Sequence, residues 1–206
     1  MEAGADYIKI INSGIYHYDN NTISDGGFSL NELRAIVGHA KEMSLDVACH
    51  ANGEQSVEDA VKSGVSFLIH GLEASDKSIA IMAEQGTAFI PTINAFTSLN
   101  KIAKSKESQN NIHRAVENHI NTVSKVYDKG VKILPGSDAG PDFISYGSSF
   151  YDELMLFQKA HIPIENILSS AVARQFKTGS QADFLIMDGL EVKKVFIMGT
   201  CIVDNI

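Results

Sequence analysis

The sequence predicts an α/β fold built from parallel βα units. Three observations carry this. Short apolar, β-branched runs alternate with longer segments of helical period, glycines close several helices just before the next run, and the runs are nearly continuous in apolar character. Continuous apolar character is what strands covered on both faces require.

The strand runs are residues 6–11 (DYIKII), 45–50 (LDVACH), 65–70 (VSFLIH), 87–93 (TAFIPTI) and 131–138 (VKILPGSD). Between them lie helical segments at 29–43, 56–63, 75–85 and 101–129. In the first, Leu33, Ile36, Val37 and Ala40 recur at helical spacing, and Ser29 with Glu32 forms a capping-box pattern. Gly64, Gly86 and Gly130 each stand where a helix must end in a left-handed residue. The acidic residues of SVEDAV sit at a helix N-terminus, where the macrodipole favours them. A last helix over SFYDELMLFQKAHI is followed by the helical stretch ENILSSAVARQF, and then the texture changes. The tail QADFLIMDGLEVKKVFIMGTCIVDNI reads as three short strands joined by antiparallel turns at Asp188-Gly189 and Gly199-Thr200. The domain organisation expected is residues 1–178 for the βα part and 179–206 for the terminal strands.

The chain has 206 residues, 44% of them hydrophobic and 20% charged, enough for one good core and a small appendage. A formal net charge of -8 argues against a surface built for nucleic acid or anionic lipid. Cys49 and Cys201 stand far apart in apolar runs and suggest no disulfide framework, so a cytoplasmic location is the expectation. The N-terminal stretch has no basic region followed by an apolar core, and no apolar run approaches a membrane span.

In parallel α/β folds, functional groups gather at the carboxyl ends of the strands. His50 and His70 each end a strand run, Asp138 follows one in ILPGSDAG, and Lys9 lies inside the first, so all four share one rim. Imidazoles and a carboxylate converging there are a ligand set for zinc or a similar divalent ion. Lys9 is the odd member, because burying an ammonium is costly. Burial lowers a lysine's pKa, and the neutral amine can add carbon dioxide to become a carbamate, an anionic ligand. Lys9 can alternatively snorkel to solvent or form a Schiff base. His17, with Tyr16 and Tyr18 in the loop after the first strand, is a candidate substrate contact, a plain loop position being the alternative. His113 and His119, six apart on a polar helix, do not share a face as an i, i+4 pair would and read as solvated surface. His39 reads as helix surface and His161 as a helix terminus.

At these residues the sequence resembles the amidohydrolase superfamily of metal-dependent hydrolases, especially its imidazolonepropionase-like and Xaa-Pro dipeptidase-like branch. The matching stretches are GADYIKI, FSLNELRAIVGHAKEMSLDVACHANG, AVKSGVSFLIHGLEASDKSIAIMAEQGTAFIPTI, KGVKILPGSDAG and GSQADFLIMDG, in the right order over most of the chain. The resemblance implies a partial TIM (β/α)8 barrel, strands four to eight, with C-terminal strands from a small β-sandwich. It also implies hydrolysis of an amide-like C–N bond in a cyclic amide or dipeptide, with Lys9 as the carboxylated lysine, His50 and His70 as ligands, and Asp138 as ligand and general acid/base. A divalent metal lowers the pKa of bound water from about 15.7 toward 7, and Asp138 would move the proton to the leaving nitrogen, a task worth roughly 10²–10⁴ in rate.

Departures from the pattern shape the remaining expectations. No His-x-His pair occurs, the order begins at what corresponds to the fourth strand, and VARQFKTGSQADF is shorter than its counterpart. A truncated product, an incomplete gene model or a fragment is therefore expected; one or two divalent ions, zinc foremost, are the cofactor expectation, and Lys9, His50 and His70 leave a mononuclear site conceivable where the full binuclear one is not. An open parallel sheet leaves edges and apolar surface exposed, so a homo-oligomer or a second chain completing the barrel is expected. The alternatives in function are a non-catalytic remnant of such an enzyme and a Schiff-base lyase using Lys9.

Overall fold

The computed structural model describes residues 4–172, 179 and 181–205. Two compact units are present, Met1–Ser170 and Ala171–Ile206. The boundary expected after residue 178 and the last residues of the predicted helical stretch 165–176 fall at 173–178, outside the described residues.

In the first unit, strands β1 (Tyr7–Ile11), β4 (Asp46–Ala51), β5 (Phe67–His70) and β6 (Ala88–Ile90) form a parallel sheet in the order β1-β4-β5-β6. A small antiparallel hairpin, β2 (Tyr16–His17) with β3 (Thr22–Ile23), occupies the loop after β1. Helices α1 (Leu30–Glu42), α2 (Glu54–Ser63) and α3 (Asp76–Gln85) make the crossovers. The short α4 (Ile93–Ser98), the long α5 (Lys106–Asp128), α6 (Ser148–Lys159) and α7 (Ile164–Ala171) follow.

Local chemistry sets these boundaries as the sequence implies. Ser29 and Glu32 close a reciprocal capping box on α1. Gly64 and Gly86 end α2 and α3 in the left-handed conformation, and Gly130, φ +74, follows α5. The helices lay Leu33, Val37, Val57, Ala60, Val61 and Met82 into a core that also holds Val47, Cys49, Ala51, Leu68 and Phe89. Each large side chain so buried contributes about 1.5–3 kcal/mol. Among the described residues, no strand pairs with the outer edge of β1, where Tyr7 and Ile11 are exposed.

Two expectations change. The run 131–138 pairs with the sheet only around Ile133: Phe89 N–H donates to the Lys132 carbonyl and Leu134 N–H to the Phe89 carbonyl. Pro135 then has no N–H to continue the ladder. Gly136 presses against Ile90 so closely that a Cβ there would stand 2.7 Å from Ile90 Cγ2. The run 87–93 is also shorter than predicted, because the strand stops at Ile90 and Ile93 already opens α4.

In the second unit, β7 (Phe184–Asp188), β8 (Glu191–Ile197) and β9 (Thr200–Asp204) form an antiparallel meander. Its turns lie at Gly189 and at Met198–Gly199, all with positive φ, and the rings of Phe184 and Phe196 stack at 4.4 Å across β7 and β8. Cys49 and Cys201 are both free thiols. No helix among the described residues is long and apolar enough to cross a membrane.

Candidate active site

Lys9, His50, His70 and Asp138 all line one cavity of about 410 Å³ at the carboxyl ends of the strands. Ile11, Ile15, Tyr16, Phe96, Phe143 and Ile144 supply much of its apolar wall. The volume and the balance of apolar wall to a few convergent polar groups are those of a small-molecule site.

The route by which His70 reaches this cavity departs from strand geometry. In the parallel register His50 pairs with Ile69, while His70 pairs with Ala51, so regular pleating would place the two imidazoles on opposite faces of the sheet. His70 instead takes φ +68, and its ring meets that of His50 edge to face, centroids 4.5 Å apart. Thr92, just beyond β6, has φ +49, and Asp138, beyond the Ile133 bridge, has φ +53. Three adjacent strand ends thus each carry a non-glycine residue in the left-handed region, at about 1–3 kcal/mol apiece. Strain of this kind persists only where surrounding structure imposes it.

Each imidazole is oriented by a protein oxygen. His50 Nε2 donates to the Gly14 carbonyl at 3.3 Å, and His70 Nδ1 lies 2.6 Å from the Thr92 hydroxyl. Burial lowers the pKa of His50, and it lowers that of His70 further, aided by the positive charges of His50, Lys9 and His119. Both rings are therefore neutral at physiological pH, with lone pairs available. Burial raises the Asp138 carboxyl, with Lys9 and His50 pulling it back down, and burial lowers Lys9, with Asp138 opposing.

Lys9 corrects one expectation. It is an exposed residue rather than one enclosed in an apolar strand, because β1 is the sheet's edge and its cavity-side face is open. The amine is nonetheless desolvated enough for its pKa to fall. His17 does not line the cavity; it bonds the Ser24 hydroxyl beside the β2–β3 hairpin, and its neighbour Tyr16 lines the cavity in its place. His113 is exposed as expected. His119 is not: it is 1% exposed, and its Nε2 donates to the Pro91 carbonyl at 2.9 Å. It lies on the apolar stripe Ile112, Val116, Val123, Val126 of α5, and that stripe, not its spacing from His113, decides its burial. Thr92 and Glu153 carried no motif; Glu153, however, sits on the buried stripe of α6 with Ser149, Leu154, Leu156 and Phe157.

The donors suit a divalent cation in kind, being neutral imidazoles with nitrogen lone pairs beside a carboxylate. In number they are incomplete: among the described residues no three His, Cys, Asp or Glu side chains come together as a metal-holding group. Lys9 is a further polar group on the same cavity wall.

The Amidohydrolase family model matches residues 1–202. The chain is 25% identical over 210 residues to ochratoxinase of Aspergillus niger, a match covering 95% of this chain and 44% of that protein. An uncharacterised protein of Mycobacterium bovis is 24% identical over 143 residues, covering 68% of this chain and 38% of its own. Among solved structures, a Xaa-Pro dipeptidase with methionine in its active site superposes with a TM-score of 0.74 at 23% identity, covering 97% of this chain and 55% of that one. The A. niger ochratoxinase structure superposes with a TM-score of 0.75 at 21% identity, covering 98% and 51%. The chain thus spans about half the length of the relatives it matches. Its parallel βα sheet is part of their TIM barrel, with a separate antiparallel sheet. On the family match across nearly its whole length, the chain belongs to the amidohydrolase family.

Proposed function

We propose that this chain carries half of a metal-dependent hydrolase site for amide-like C–N bonds, in which Lys9 as a carbamate, His50, His70 and Asp138 hold a divalent cation, most simply zinc. The observation that carries the reading is the convergence of these four residues, one from within β1 and three from beyond or at the ends of other strands, on one cavity, two of them with left-handed backbone. Family membership adds to it, since the amidohydrolase family generally uses divalent metals.

A divalent cation bound there supplies a Lewis acid and a water acidified toward neutral pH. Asp138 faces the same cavity, and burial raises its pKa above the ordinary carboxylate value, which favours a role in accepting a proton and returning it to a leaving nitrogen. The Gly14 carbonyl and Thr92 hydroxyl fix the orientation of the two imidazoles, as partners of metal-binding histidines do. Phe96, edge-on to His70 at 6.0 Å, and Ile144 keep water from one side of the cavity.

For substrate, the cavity's size and apolar wall suit a dipeptide or cyclic amide with an apolar group. The likeness to proteins named Xaa-Pro dipeptidase and ochratoxinase supports that class. The test is hydrolysis of a panel of dipeptides, N-acyl amino acids and cyclic amides by the zinc-loaded chain, before and after chelation. Turnover lost on chelation and restored by zinc is expected; turnover insensitive to chelation would overturn the reading.

A further inference from the structure

We propose that Glu153 is a positioning residue for His70: by taking over the capping of α4, it frees the Thr92 hydroxyl to hold the His70 ring. The functional consequence rests on His70 being a metal ligand, as proposed above.

Thr92 is the N-cap residue of α4, and threonine is well suited to that duty because its hydroxyl can accept from the helix's first N–H groups. Here it makes no such bond. Its hydroxyl is turned instead to His70 Nδ1, at 2.6 Å. The first two N–H groups of α4 are taken by a side chain about sixty positions away: Glu153 Oε1 accepts from Ile93 N–H at 3.0 Å, and Oε2 from Asn94 N–H at 2.6 Å. On the other side of Thr92, His119 Nε2 donates to the Pro91 carbonyl at 2.9 Å. The flanks of the strained residue are thus gripped from two outer helices, α6 and α5.

A buried carboxylate is a costly cap. Glu153 is 0% exposed, and among the described residues no cation forms a salt bridge with it. Burial pushes its carboxyl up to about 8 although the two N–H donors pull it down. The first N–H groups of a helix have no partners within it, and the side chain of Thr92, left-handed and with its hydroxyl on His70, caps none of them. Glu153 becomes intelligible once that hydroxyl is committed elsewhere.

The test is long-range ¹H–¹⁵N NMR of the histidine rings in the ¹⁵N-labelled full chain at one fixed pH, for wild type, Glu153→Gln, Glu153→Ala, Thr92→Val and the double variants. Glu153→Gln keeps the volume and one acceptor, so it carries the test if Glu153→Ala does not fold. Wild type is expected to show His70 in one tautomer. Either Glu153 variant is expected to shift the His70 ring nitrogens toward tautomer averaging, as Thr92→Val does, and combining the two is expected to add little. Zinc affinity should fall by about 10- to 100-fold in Glu153→Gln, with the wild-type value recovered in part by Glu153→Asp. A folded Glu153→Gln with His70 resonances unchanged would overturn the proposal. If His70 responds but no variant, wild type included, binds zinc, positioning stands and the metal reading fails; if zinc binds and His70 is indifferent to Glu153, positioning alone fails.

Discussion

His70 shares a cavity with His50 although the strand register sets them on opposite faces, and the residue that reconciles the two facts is His70 itself, at φ +68. A left-handed backbone costs an alanine more than a glycine. His70→Gly should therefore be more stable than His70→Ala by about 1 kcal/mol, measured by urea unfolding, although both lose the imidazole. Equal stabilities would show that the strain is absent.

Gly71 is the next residue along. With φ +64, and with a Cβ there standing 2.6 Å from Phe89 Cε2, it admits no side chain without moving a fully buried ring. Gly71→Ala should destabilise the chain by about 2–4 kcal/mol, from overpacking plus backbone strain. Urea midpoints at constant slope would measure it.

His119 predicts a pH dependence. Burial lowers its pKa from 6.5 to about 4, the bond to the Pro91 carbonyl opposing. The folded pKa lies below the unfolded one, so the neutral ring's contribution is complete above about 6.5 and is lost as pH falls toward 4. The loss is on the order of 3 kcal/mol. His119→Gln, which retains a donor for Pro91, should flatten this part of the stability profile; an unchanged slope would place the titration elsewhere.

Asp138→Asn separates charge from conformation. Asparagine tolerates positive φ, so the unfolding midpoint should hold within about 0.5 kcal/mol. Turnover on any amide substrate found should drop by roughly 10²–10⁴. Full activity in this variant would remove Asp138 from proton transfer.

Much of the fold was legible because each βα step declares itself locally. Ser29 with Glu32 starts a helix, Gly64 and Gly86 stop two, and Asp188-Gly189 turns a hairpin, all through interactions a few residues long. His50 was legible at the end of its strand for the same reason. That His70, Thr92 and Asp138 are left-handed was not, since nothing in an isolated IH, PT or SD dipeptide requires it; the contacts that flank Thr92 come from Glu153 and His119, far away in sequence. The exposure of Lys9 was equally hidden, because it depends on which strand lies at the sheet's edge.

The most direct test of the central claim is the zinc content of the purified full chain, by elemental analysis after exchange into metal-free buffer containing bicarbonate. The account predicts close to stoichiometric zinc in wild type and its loss in His50→Ala, His70→Ala and Lys9→Ala alike. A wild-type chain free of metal, or zinc retained undiminished in all three variants, would contradict it.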